Sequence, residues 1–248
     1  MKIEILKEAT EEKPYLIIYK PKGLPSAPLT ADDTNNAFSQ TAELFPQLLN
    51  VHGKKEIEHG LLHRLDTATD GLLVIASNQE CYDFLIKEQE EGRFYKTYTA
   101  ECDIIPENAK ELGGFPPDLL RGASATKQSY TLVSYFRPYG PGRKEVRPVT
   151  EKSGKAALLK LGKAKSYETK IEIIKLSEKK ARAICQISQG YRHQVRCHLA
   201  WAGYPVAGDQ LYNSDKKNAE NLLFSATKIS FEYPRGDLNS YDRKDTWT

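Results

Sequence analysis

A chain of 248 residues, 40% hydrophobic and 28% charged, is long enough to bury a sizeable core as one large domain or two small ones. No stretch approaches the ~20 apolar residues of a membrane span, and the first residues lack the apolar run of a signal peptide, so a cytoplasmic protein is expected. A formal net charge of +3 is too small to demonstrate a polyanionic partner. Any grip on nucleic acid must come from local basic clusters.

The opening Met1-Lys2-Ile3-Glu4-Ile5-Leu6-Lys7-Glu8 alternates polar and apolar like a strand. Tyr15 to Tyr19 reads as a second strand, ending in the turn Lys20-Pro21-Lys22-Gly23. Asn35 to Leu49 suits a helix, with Ala37, Phe38, Ala42 and Phe45 near one face. Leu72 to Ala76 is a buried strand. Ser77-Asn78-Gln79-Glu80 then forms a capping box for a helix to about Glu90, with Tyr82, Leu85 and Ile86 inward.

Strands follow at Arg93 to Cys102, Gln128 to Phe136, Glu168 to Leu176 and Ala181 to Ser188. The last two flank Ser177-Glu178-Lys179-Lys180 as an antiparallel hairpin. A helix from about Tyr191 to Ala202 is closed by Gly203 in the left-handed conformation. Residues 137–164, rich in Pro, Gly, Lys and Arg, read as a mobile basic insertion carrying Arg137, Arg143, Lys144 and Arg147. The expected fold class is α+β: one catalytic domain over 1–248, on a mixed, largely antiparallel sheet with flanking helices. Cys81, Cys102, Cys185 and Cys197 are scattered with no Cys-x-x-Cys pair, which argues against a zinc ribbon, a redox dithiol or a disulfide scaffold.

Chemistry concentrates in His63-Arg64-Leu65-Asp66-Thr67-Ala68-Thr69-Asp70-Gly71, a polar turn leading straight into an apolar strand. A carboxylate at Asp66, at the mouth of a buried element beside Arg64 and His63, can stay ionised and sheltered, as a nucleophile or general base requires. A lone Asp in such a turn more often only caps backbone N–H groups, so its weight depends on companion segments. One is Gln189-Gly190-Tyr191-Arg192-His193-Gln194-Val195-Arg196, where helical spacing puts Arg192 and Arg196 on one face, with His193, near a helix start able to hold an anion. Another is Tyr95-Lys96-Thr97-Tyr98, where strand alternation puts Lys96 and Tyr98 on one side.

Together these segments resemble the RluA family of RNA pseudouridine synthases. Tyr19-Lys20-Pro21-Lys22-Gly23-Leu24-Pro25 is similar to that family's first motif, and His63-Arg64-Leu65-Asp66 with Thr69 and Gly71-Leu72-Leu73-Val74 to its catalytic motif. Lys96-x-Tyr98 resembles the third signature, and His193-Gln194-Val195-Arg196-x-His198 the fourth, running on to Gly208-Asp209-x-Leu211-Tyr212. Leu222-Leu223-Phe224-Ser225-Ala226 ahead of Phe231-Glu232-Tyr233-Pro234 also fits, so the likeness spans residues 15 to 234. Asp70 stands where the family usually has Ser, and Tyr191-Arg192 where it usually has Arg-Thr.

The resemblance implies isomerisation of a uridine in structured ribosomal or transfer RNA, with Asp66, Tyr98 and Arg196 catalytic. Arg196 is the expected salt-bridge partner of Asp66, and Tyr98 the ring that stacks on uracil. Arg64, His63, Lys96, Arg192 and His193 are the expected RNA contacts, with Arg64 filling the stack that the extruded base leaves. No separate N-terminal RNA-binding domain is expected. The reaction involves no redox change, so no metal or cofactor is expected, and the protein is expected to act as a monomer. The competing readings are a catalytically idle RNA-binding protein, a nucleotide-processing glycosidase, and a metal hydrolase using His59-x3-His63 and His193-x4-His198.

Overall fold

Alternating residues become strands almost where the pattern puts them in a computed structural model of the protein, which describes residues 1–106, 112–116, 127–159, 161, 165–213 and 221–245. These gather into two units, Met1–Thr97 with Ser225–Thr248, and Tyr98–Phe224.

In the first unit, β1 (Glu4–Lys7) pairs antiparallel with β2 (Tyr15–Lys20), and β2 with β3 (Asp70–Ala76). β3 runs parallel to β9 (Phe224–Glu232), which in turn carries β10 (Leu238–Asp242) antiparallel. Every residue of β3 is buried, so neither face meets solvent and nothing demands alternation, which explains its unbroken apolar run from Leu72 to Ala76. The core gathers Tyr15, Ile17, Leu72, Val74, Phe94 and Phe231, with the Phe94 and Phe231 rings stacked 5.0 Å apart.

Helix α2 (Gln79–Glu90) seats Cys81, Tyr82 and Leu85 in that core. Its cap is Asn78 rather than the expected Ser77 box: the Asn78 side-chain Oδ1 accepts the Cys81 N–H at 2.9 Å. The helix expected over 35–49 is shorter. α1 spans Ala37–Leu44 and gives way at Phe45 to a 3-10 turn over Pro46–Asn50, because proline cannot continue the hydrogen-bond ladder.

The second unit orders its strands β4-β8-β7-β5-β6. They are β4 (Tyr95–Asp103, whose first residues belong to the first unit), β5 (Lys127–Tyr139), β6 (Glu145–Val149), β7 (Tyr167–Lys175) and β8 (Lys180–Ile187). β7 and β8 form the expected hairpin. α4 (Gln194–Trp201) packs Cys197 and Ala200 against Phe136, Val146 and Tyr212. The α+β class with a mixed, largely antiparallel strand arrangement therefore holds.

Part of the expected mobile insertion is ordered. Arg137 on β5 pairs with Arg147 on β6, and a short helix α3 (Lys155–Leu158) follows; residues 160 and 162–164 lie outside the described residues. Four basic residues do not make one solvated loop here. Arg147 is buried, ion-paired to Glu145 at 2.7 Å, with its guanidinium 4.3 Å from the Tyr139 ring centre and 4.7 Å from that of Phe115.

Gly71 is required where β3 begins. Its φ is +133°, and a Cβ there would lie 2.3 Å from the Ala226 carbonyl oxygen on β9. Gly71→Ala should therefore cost at least about 1–3 kcal/mol of backbone strain. The melting temperature should fall by roughly 5 °C or more in a circular-dichroism melt. An unchanged melt would refute the close β3–β9 approach.

Candidate active site

The Asp66 turn is held by its backbone. Ser26 Oγ donates to the Leu65 carbonyl and accepts the Leu65 N–H, both at 2.9 Å. The Thr69 N–H donates to the Asp66 carbonyl at 2.9 Å, and the Gly23 N–H to the Thr67 carbonyl at 2.7 Å. Gly23 can turn there because its φ is +79°. These bonds fix the turn through its backbone, and the Asp66 residue is half-buried just ahead of β3.

Beneath the turn lies an ionic cluster that sequence reasoning did not single out. Asp70, buried at the start of β3, accepts from the Tyr19 hydroxyl on β2 and the Ser225 hydroxyl on β9, each at 2.7 Å, and Lys22 approaches it at 3.8 Å. Lys20, fully buried, has its pKa pushed down to about 8 by burial, against the upward pull of Asp70 and Asp66. The available signal was Asp70 itself, a carboxylate where the resembled motif has a hydroxyl.

Arg64 is exposed and pairs with Glu58 at 3.1 Å. Such a pair contributes about 0–1 kcal/mol, so the guanidinium is readily released to a ligand. His63 and Lys96 come together around Phe94. The His63 ring meets Phe94 edge-on at 5.9 Å, and the Lys96 ammonium lies 5.9 Å from the same ring. Neither His63 ring nitrogen has a hydrogen-bond partner among the described residues. Burial first, and the Lys96 charge second, hold His63 well below the ordinary histidine pKa, so it is neutral. Burial alone pushes Lys96 down to about 8.

In the second unit, Tyr98 is buried and stacked on Phe224, ring centres 5.1 Å apart and 9° from parallel. Arg196, on α4, is gripped at two points by Asp209: Nε donates to Oδ2 at 2.7 Å and Nη2 to Oδ1 at 2.8 Å, both groups buried. Asp209 also accepts the N–H groups of Leu211 and Tyr212 at 2.9 and 3.2 Å.

The expected pairing of Arg192 with Arg196 on one helix face is corrected. His193 adopts a left-handed conformation (φ 56°, ψ 16°), so α4 starts only at Gln194, and Arg192 and His193 precede it. His193 Nδ1 is 3.0 Å from the Tyr212 hydroxyl. Arg192 Nη2 donates to the carbonyls of Arg143 at 2.6 Å and Glu145 at 3.1 Å, latching the β5–β6 hairpin. His59 stacks on Phe38 and His198 lies between the Ser134 and Thr169 hydroxyls. Among the described residues, no group of three or more His, Cys, Asp or Glu is arranged to hold a metal ion.

The model of the RNA pseudouridylate synthase family matches residues 14–201, which include Asp66, Lys96, Tyr98 and Arg196. An uncharacterized RNA pseudouridine synthase of Mycoplasma genitalium is 27% identical over 236 residues, covering 94% of this chain and 63% of its own length. The tRNA pseudouridine(31) synthase of Saccharomyces cerevisiae is 27% identical over 222 residues, covering 86% of this chain and 48% of its own. The chain thus spans less than two thirds of the length of these curated relatives. The solved structure of human RNA pseudouridylate synthase domain containing 1 shares the fold, with a TM-score of 0.66 at 15% identity, over 100% of this chain and 85% of that one. With its Asp66 turn, its strand carrying Lys96 and Tyr98, and a family match across most of its length, the chain belongs to the RNA pseudouridylate synthases.

Proposed function

We propose that the protein isomerises a uridine in structured ribosomal or transfer RNA to pseudouridine, with Asp66 as the reacting carboxylate. The observation that carries this is the Asp66 turn, held through its backbone by Ser26, Thr69 and Gly23, so that the carboxylate has a fixed place ahead of β3. The reaction breaks the bond from uracil N1 to ribose C1′, turns the base and forms the C5–C1′ bond; a proton leaves C5 and one is taken up at N1, so the net change is an isomerisation. Asp66 acts by attack on C1′ or by removing a sugar proton, and both roles need the ionised form. Tyr98 stacks on the uracil, and Arg64, released from Glu58, fills the vacated stack. Lys96, a buried cation beside Phe94, is an RNA contact alongside neutral His63.

Tritium release from RNA labelled at uridine C5 tests the reading. Turnover is expected on folded RNA, and none on uridine or uridine monophosphate, which lack the phosphate contacts that seat the sugar. Affinity for RNA should fall steeply with salt as counterions are released. Neutralising Arg143 and Lys144, exposed at the hairpin tip, should flatten the log–log salt slope by roughly 2 if both grip phosphates. Arg147 is excluded from that set because its buried guanidinium holds the hairpin together. Efficient turnover of uridine monophosphate, indifferent to salt, would point instead to a nucleotide-processing glycosidase.

A further inference from the structure

Lys20, the last residue of β2, is fully buried. Its ammonium donates to the Leu24 carbonyl at 2.8 Å and the Pro21 carbonyl at 3.1 Å, and reaches the Thr67 carbonyl at 3.5 Å. Thr67 directly follows Asp66, and the same Thr67 oxygen accepts the Gly23 N–H. A full charge enclosed by backbone carbonyls is costly unless anions balance it. Asp70 and Asp66 supply that balance. Asp70 is built in to do so, braced by Tyr19 on β2 and Ser225 on β9, with Lys22 beside it.

We propose that Lys20 is a positioning residue for the isomerisation: its ammonium, with buried Asp70 as its counter-charge, holds the carbonyl of Thr67, the residue next to Asp66, and so sets the course of the turn and the direction of the Asp66 carboxylate. This rests on Asp66 being the reacting carboxylate. It also gives Asp70 a purpose, since a serine at that position would supply no charge to balance a buried ammonium.

The consequence is a pH dependence with a defined sign. Burial holds the Lys20 ammonium near a pKa of about 8, so it is charged below that pH and neutral above it. The groups facing it are Asp66 in the turn and Asp70 on β3. Lys22 and Tyr19 act through Asp70, and Arg243 lies 4.0 Å from the Tyr19 ring centre. The isomerisation rate should therefore fall as pH rises through about 8. Lys20→Arg keeps its charge at all these pH values and should abolish that alkaline limb. Asp70→Asn removes the charge that raises the Lys20 pKa and should move the limb to lower pH.

The experiment is single-turnover tritium release between about pH 6 and 10, from 5-tritiated total RNA of cells lacking this gene, with a thermal melt of each variant. Lys20→Met should slow turnover by at least about tenfold, while RNA binding stays within about twofold. An alkaline limb unmoved in both Lys20→Arg and Asp70→Asn overturns the proposal, as does equal loss of binding and rate in Lys20→Met. Asp70→Asn adds almost no volume, so it keeps the test decisive if Lys20→Arg is too large to fold. A wild-type protein that releases no tritium from any RNA overturns the isomerase reading and this role with it; active wild type with an unmoved limb overturns this role alone.

Discussion

Asp66→Asn should abolish pseudouridine formation, lowering the single-turnover rate by at least about 10⁴-fold, and leave RNA affinity within about threefold. The substitution preserves size and hydrogen-bonding capacity but removes the charge that either route to the anomeric carbon requires. It should not disturb the fold. The turn is secured by Ser26 on both polar atoms of Leu65, by the Thr69 N–H on the Asp66 carbonyl, and by Gly23 on the Thr67 carbonyl. None of these bonds uses the Asp66 side chain. An unchanged melting curve with no product is thus the expected pair of results. Turnover of the Asn variant near the wild-type rate would remove Asp66 from the chemistry and leave the protein's reaction to another group.

The parts of this molecule that were legible in sequence are those set by local pattern. The apolar run of β3, the alternation along β4 with Lys96 and Tyr98 on its buried side, and the β7–β8 hairpin all follow from side-chain period and turn chemistry. What escaped depends on partners far away in sequence. Asp70 takes its meaning from Tyr19 and Ser225, which lie 51 and 155 residues away. The basic run from Arg137 reads as one mobile insertion because charge counting is blind to register. The β5–β6 pairing puts Arg137 opposite Arg147 and encloses the latter among aromatic rings. Likewise, helical spacing joined Arg192 to Arg196, but the left-handed His193 lies between them. Its ring faces Tyr212, nineteen residues on, a contact that no periodicity encodes.

Arg196→Met should prove costly in stability, and the reason is Asp209. The guanidinium meets both carboxylate oxygens, and only 6% of Arg196 and 2% of Asp209 is exposed, so screening by water is weak. Removing one member of such a pair leaves a buried charge without its partner, which typically costs about 3–5 kcal/mol. Two backbone N–H donors, from Leu211 and Tyr212, still reach Asp209 Oδ1 and place the loss toward the lower end of that range. For a chain of this size, the melting temperature should drop by roughly 10 °C. Replacing both partners, Arg196→Met with Asp209→Leu, removes the stranded charge and should recover much of the melt. Activity then separates two roles for the arginine. If it serves only as the clamp between α4 and the Gly208-Asp209 turn, the double variant should regain turnover along with stability. If it also serves the reaction, as its motif suggests, turnover should stay at least about 100-fold down at a temperature well below either melt, with RNA binding little changed. A parallel loss of binding and rate in both variants would instead make Arg196 a phosphate contact, and an unaltered melt in Arg196→Met would show that the Asp209 clamp carries no stability.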